Sequence, residues 1–462
     1  MTLLGYIMLP VGLAGLFLSK KWLYRLFVFS TLFSASSAVN LGESDSGSAV
    51  QLWMFFGFMW LLRLTLDHLA DLSFTIDTRI LTPCRWLIAF LAAASISLIM
   101  PIYIGGRLLI TSPFLFDNSE TPLYFTSHNF TQLLYLVFGV AIAISVAHFN
   151  LRNEVRHETE RIILISAIFI SFWGAFQFVC NVTGIPYPDF IFNNSGSVSG
   201  KGFLETLNGV SRISSVAVEP SMFAQSLVTL LPLTLPAWLK RGSVLSIQID
   251  RASSVFLILL LLLCTSSTAY LGLFVFAALL LPLLLRTRIT SMARASIFAV
   301  IAGGAFVLLM AMAVASSSVV RDVITSGLLD KSNSGSALER LMTIQLAFGY
   351  FQKFPIFGIG WGSATSHDLI IKLLSNVGLV GTLIFLAAMY YVLRANWRAL
   401  DGLTGDLSLS RSAWFMSLTV FLFTSALIGF PLAFGNFWLV LGMALSTGWK
   451  PETFRESLIA AA

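Results

Sequence analysis

Apolar residues run along this chain in long blocks separated by short polar clusters, and most blocks approach the ~20 residues a helix needs to cross hydrocarbon. The pattern predicts membrane helices at residues 2–18, 22–39, 50–66, 86–104, 132–149, 162–182, 221–239, 254–264, 267–285, 296–316, 367–393, 412–430 and 435–448. Hydropathy alone does not separate two crossings from a re-entrant hairpin. The first pair of blocks and the short 254–264 block therefore leave twelve and thirteen spans both open. Loops this short hold no soluble domain, so residues 1–462 read as one all-α integral membrane domain.

Composition strengthens that reading: 57% of the 462 residues are apolar and 11% are charged. A formal charge of +6 raises the question of nucleic acid, but the basic residues fall in clusters between apolar runs, as orienting signals do. Alternate connections collect Lys20, Lys21 and Arg25; Arg63, Arg79 and Arg85; Arg152, Arg156 and Arg161; Lys240, Arg241 and Arg251; Arg286, Arg288 and Arg294; Arg394, Arg398 and Arg411; and Lys450 with Arg455. These are 20 of the 28 basic residues, all on one side, which the positive-inside rule makes cytoplasmic. No nucleic-acid partner is expected. Cys84, Cys180 and Cys264 lack metal-ligand spacing and read as ordinary membrane residues. Lys20 and Lys21 follow the first apolar block instead of preceding it, so the N-terminus reads as a retained span.

The same map puts two long segments outside, 183–220 and 317–366. The eight basic residues left over, Arg107, Lys201, Arg212, Arg321, Lys331, Arg340, Lys353 and Lys372, lie there or at outer helix ends, against the orientation rule. They need another explanation. In the first segment, Pro220 suits a first helical position and biases Glu219 away from helical angles, so a span starts there with its free amides facing outward beside Arg212. That arrangement suits phosphate; the plainer reading has Arg212 touching lipid headgroups and Glu219 capping the helix. In the second segment, Ser336-Ala337-Leu338-Glu339 matches a capping box and predicts a helix over 337–352 along the outer interface. Arg340 in its first turn opposes the helix dipole, so an anion such as Glu339 or a ligand phosphate would offset it; a solvated arginine is the alternative. The glycines of the 355–362 run permit either close approach to a diphosphate or a flexible connector.

Asp368, Lys372 and Asn376 recur every four residues and form one helix face, expected to turn toward the bundle or a wet cavity. Gly378 and Gly381 further along are expected to permit close helix packing. His367 starts this helix, with an ordinary pKa of about 6.5 that leaves it able to accept a proton. His68, His128, His148 and His157 have no comparable neighbours in sequence, and no metal site is expected. Glu43-Ser44-Asp45 reads as a solvated loop in preference to a cation site.

At three places the chain resembles the bacterial O-antigen ligase and Wzy-type polysaccharide polymerase family. These are Arg212 to Ala224 with its Glu-Pro-Ser helix start, Arg340 followed by Phe354 to Gly360, and His367-Asp368 running into Ile371 to Gly381. The resemblance implies a GT-C-like glycosyltransferase in the bacterial inner membrane with its site facing the periplasm. It further implies donors and acceptors that are glycans on undecaprenyl diphosphate, and neither metal nor cofactor. Carried over by motif, Arg212 and Arg340 bind the donor diphosphate, and His367 takes the proton from an acceptor hydroxyl as it attacks with inversion. Glu219 and Lys372 orient substrate groups or support the histidine. Asp368 stands where the family often has Asn, and holding His367 or pairing with Lys372 are both open to it. The Glu-Pro-Ser helix start is closer to polymerase than to ligase members; a chain-length regulator is a further partner the family suggests, beside membrane lipids. A lipid-linked sugar flippase is the expectation from another class, and it would show paired repeats and charges near mid-membrane. Here the unusual polar groups gather at one face.

Overall fold

The fold comes from a computed structural model that describes residues 1–41, 48–71, 78–111, 119–195, 206–207, 210–239, 242–286, 335–399, 406–428 and 431–448. It is predominantly helical. In chain order come α1 (Leu3–Leu18), α2 (Lys20–Ser30), β1 (Ser37–Leu41), β2 (Ser48–Gln51), α3 (Leu52–Asp71), α4 (Thr78–Ser97), α5 (Ile99–Ile104), β3 (Leu109–Thr111) and β4 (Glu120–Pro122). They are followed by α6 (Ser127–Phe149), α7 (Asn153–Thr183), α8 (Asp189–Phe192), β5 (Thr206–Leu207), β6 (Val210–Ser211), α9 (Pro220–Leu230), α10 (Leu235–Trp238), α11 (Ile247–Leu263) and α12 (Ser267–Arg286). The last four are α13 (Gly335–Lys353), α14 (Leu369–Ala399), α15 (Asp406–Ile428) and α16 (Gly435–Thr447).

Four stretches are long and apolar enough to cross a membrane among the described residues: Cys84–Ile104, Ser127–Phe149, Asn153–Thr183 and Leu369–Arg398. Leu3–Leu18 and Ser267–Leu280 are shorter apolar helices. Several expected spans take other forms. The 22–39 block becomes the short α2, a turn, and then β1, because the Ser34–Ser37 stretch spends its polar groups on tertiary partners instead of a helix ladder. The 221–239 block is α9, a 3-10 turn at Leu231–Thr234 and then α10, with Pro232 and Pro236 each removing a helix donor. The 254–264 block is the end of a longer α11 that starts at a Ser246 cap. The helix expected at 296–316, the Glu43–Asp45 loop and residues 317–334 lie outside the described residues. Three two-stranded hairpins, β1–β2, β3–β4 and β5–β6, were not foreseen.

Packing joins α14 to α4, α16 to α6, and α2 to α3, and buries Trp53, Trp60, Trp414 and Trp438 completely. Contacts between connections sort them to two ends of the bundle. At one end Lys20 Nζ meets Asp67 at 3.1 Å, Arg25 pairs with Glu158, and Arg161 Nε donates to the Val244 carbonyl at 3.0 Å. At the other, Thr2 Oγ1 donates to the Ser37 carbonyl at 2.7 Å, Ala35 N to the Val216 carbonyl at 3.0 Å, and Thr111 N to Tyr350 OH at 2.9 Å. Every one of these pairs joins connections that the charge pattern assigns to the same side.

Candidate functional site

Three segments distant in sequence meet at the end of the bundle that is poorer in basic residues: the start of α9, the second and third turns of α13 and the start of α14. Pro220 occupies the first helical position of α9, and Glu219 before it is extended (φ −139°), as X-Pro geometry requires. The Glu219 carboxylate does not cap its own helix. It accepts a hydrogen bond from Ser221 Oγ at 2.8 Å and lies 3.7 Å from the Arg340 guanidinium, so it reaches across to α13. Both members of this pair are about one-third exposed, which makes the contact a weak tether, worth at most ~1 kcal/mol. Arg340 thus has an anionic neighbour, supplied from another segment. Glu339 beside it is held above the usual carboxylate range by burial and by the charge of Glu219, with Arg340 opposing.

One turn after Arg340, buried Thr343 donates to the Arg340 carbonyl at 2.9 Å, and its oxygen lies 2.9 Å from His367 Nδ1. His367, partly buried, is pushed below the ordinary histidine range. Burial is the main cause and the Arg340 charge comes next; Glu219 opposes and Lys372 adds to the lowering. A neutral imidazole at neutral pH follows, which is the form able to take a proton. Thr343 was absent from the expected site, although its i+3 spacing from Arg340 puts both on one helix face and was a usable signal.

The stripe on α14 does a different job from the one expected. Asp368 Oδ1 accepts from Ile371 N at 2.8 Å, so this carboxylate caps α14, where the helix dipole also favours a negative charge. Asn376, fully buried, fastens the preceding loop: its Oδ1 accepts from Ser363 N (3.0 Å) and Ala364 N (3.1 Å), and its Nδ2 donates to the Ala364 carbonyl at 3.0 Å. Lys372, between them, is partly buried, and its charge acts on both His367 and His128. His128 therefore belongs to the surroundings of the site, although sequence spacing gave it no neighbour.

The glycines of the 355–362 run pack against the protein's own helices instead of forming a loose connector. Gly358, Gly360 and Gly362 all have positive φ, and a Cβ on them would meet, respectively, the Ser375 carbonyl at 2.6 Å, Pro101 at 2.4 Å and Gln132 at 2.9 Å. They let this turn seat against α14, α5 and α6. Gly378 breaks the helical angles inside α14, and its backbone receives the turn: Leu379 N donates to the Pro355 carbonyl at 2.8 Å. A Cβ on Gly381 would instead meet Val377 of its own helix, so the expected helix–helix contact at the pair becomes a helix–turn contact at Gly378.

Arg212 lies one step away. It is held over the α11–α12 turn, where its Nη2 donates to the Thr265 carbonyl at 3.5 Å and its charge acts on Tyr270. The loop that follows is pinned inside the bundle, with Gln177 Oε1 accepting from Ser214 N (3.0 Å) and Ser215 N (2.7 Å). The charges of Arg340, Glu219 and Lys372 act on His367. Cys84, Cys180 and Cys264 are buried thiols, and Cys264 Sγ donates to the Leu261 carbonyl at 3.2 Å. Among the described residues no group of three or more His, Cys, Asp or Glu side chains is arranged to hold a metal. No protein-family model matches this chain, and no curated protein matches it.

Proposed function

We propose that this chain is a membrane glycosyltransferase of the O-antigen ligase and Wzy-type polymerase kind, using a glycan on undecaprenyl diphosphate as donor. Within that class it acts as a polysaccharide polymerase at the outer face of a bacterial inner membrane. The observation that carries the reading is the linked set His367, Thr343, Arg340 and Glu219: a neutral imidazole and a guanidinium joined through one helical turn at the end of the bundle poorer in basic residues. His367 takes the proton of an acceptor sugar hydroxyl while that oxygen bonds to the anomeric carbon of the donor. The bond from that carbon to the diphosphate oxygen breaks with inversion, and the electron pair leaves with the lipid diphosphate. Arg340 faces the charge that develops on the leaving group, because a guanidinium fork matches phosphate oxygens. Glu219 steadies Arg340, and Arg212 at the neighbouring turn offers a second phosphate ligand.

The test is genetic. Deleting the gene and resolving the surface glycan on a gel should leave single repeat units on the lipid A-core. Bare core with polymer retained on the lipid carrier would indicate a ligase instead, and repeat units trapped inside the cell a flippase. His367→Ala, present at normal levels, should reproduce the deletion, since losing a general base lowers turnover by ~10²–10⁴-fold. Full activity of that variant would remove His367 as the base.

A further inference from the structure

The hydroxyl that separates His367 from the Arg340 backbone decides which imidazole nitrogen is free. A threonine side chain has one proton to give and two lone pairs to receive with. Thr343 is buried inside a helix and sits 2.9 Å from the Arg340 carbonyl three residues back, an acceptor only and the usual recipient for a helical threonine. With the proton committed there, the 2.9 Å contact to His367 Nδ1 is a hydrogen bond only when Nδ1 carries the hydrogen. From this chain of contacts we infer that Thr343 is a positioning residue that holds His367 as the Nδ1–H tautomer and leaves Nε2 as the proton-accepting nitrogen. The opposite tautomer requires Thr343 to abandon the carbonyl, and it turns Nε2 into a donor that takes no proton.

The inference rests on the proposed role of His367 and adds a structural consequence to it. Arg340 and Thr343 belong to one turn of α13, so the guanidinium that meets the diphosphate and the hydroxyl that orients the base move as a unit. The charged groups acting on His367 are Arg340 from α13, Glu219 from the residue before α9 and Lys372 from α14, and the contact at Nδ1 is the Thr343 hydroxyl.

Nitrogen-15 spectra of the full-length protein, labelled at histidine and assigned against His367→Ala, read the tautomer directly at a pH where His367 is neutral. Nδ1–H is expected in the wild type. Thr343→Val, similar in volume and without a hydroxyl, should mix the two tautomers. It should lower turnover by about tenfold or more with little change in the KM for donor, while Thr343→Ser restores both. An Nε2–H imidazole in the wild type, or a Thr343→Val protein with unchanged tautomer, overturns the inference. If Thr343→Val does not fold, the wild-type spectrum still decides. Full activity of His367→Ala would refute the catalytic reading and leave the tautomer assignment to stand or fall on the spectra.

Discussion

A single imidazole is tuned here by three charges that enter from three segments, and each can be removed in turn. His367 sits below the ordinary histidine pKa of about 6.5, and the largest charge holding it down is Arg340. Because a proton-accepting imidazole works only when neutral, the proposed role of His367 predicts activity that persists below that pH and fails as pH drops through the lowered pKa. Arg340→Gln should move the His367 titration upward, toward the ordinary value, and Glu219→Gln should move it further down. Following the imidazole by NMR separates this effect from the loss of donor binding that the proposed function expects of Arg340→Gln; shifts of the same sign in both variants would refute the electrostatic account. His367, Arg340 and Glu219 were legible in the sequence because each is a polar group at an outer helix start, where apolar patterning offers it no role. Arg212 was legible as an odd basic residue on the outer side, but its contact with the Thr265 carbonyl was not. Its position depends on the turn between α11 and α12, which no local pattern describes. Asp368 was open between two roles and took a third, since the cap of its own helix was the nearest set of unpaired amides.

At the scale of elements, the break in α14 is the joint on which the site depends. Gly378 has φ 65° and ψ −167°, a region essentially reserved for glycine, and a Cβ there would approach the Ile356 carbonyl oxygen to 2.2 Å. Gly378→Ala should cost ~1–3 kcal/mol from backbone strain alone, and more from displacing the turn. Gly349→Ala, inside α13 where a Cβ meets nothing within 4 Å, should be neutral or stabilising by ~1 kcal/mol. Thermal unfolding of the two variants in detergent checks the contrast, and equal midpoints would refute it. Glycine spacing announced a special backbone along 355–362. It did not say that the partner was another stretch of the same chain, because a ligand and a carbonyl make the same demand on the missing side chain.

For the whole molecule, the proposal requires the end bearing His367 to face away from the cytoplasm. Glu120 lies exposed on β4 at that end, and Glu154 lies exposed at the start of α7 at the other. A membrane-impermeant maleimide should label Glu120→Cys in intact spheroplasts and Glu154→Cys only after permeabilisation. The reverse pattern would put the site on the cytoplasmic face and exclude an outer-leaflet donor. Membrane residence, most helix positions and the sorting of connections to two ends could all be read from the residues in order, because lipid burial and the cost of moving Lys and Arg across a bilayer act on each segment separately. Which helices touch, where α2 gives way to a strand, and the meeting of Glu219, Arg340, Thr343 and His367 were settled only in three dimensions. Those contacts join segments far apart in the chain, and their energy comes from the packing of whole helices, which leaves no periodicity behind in any one of them.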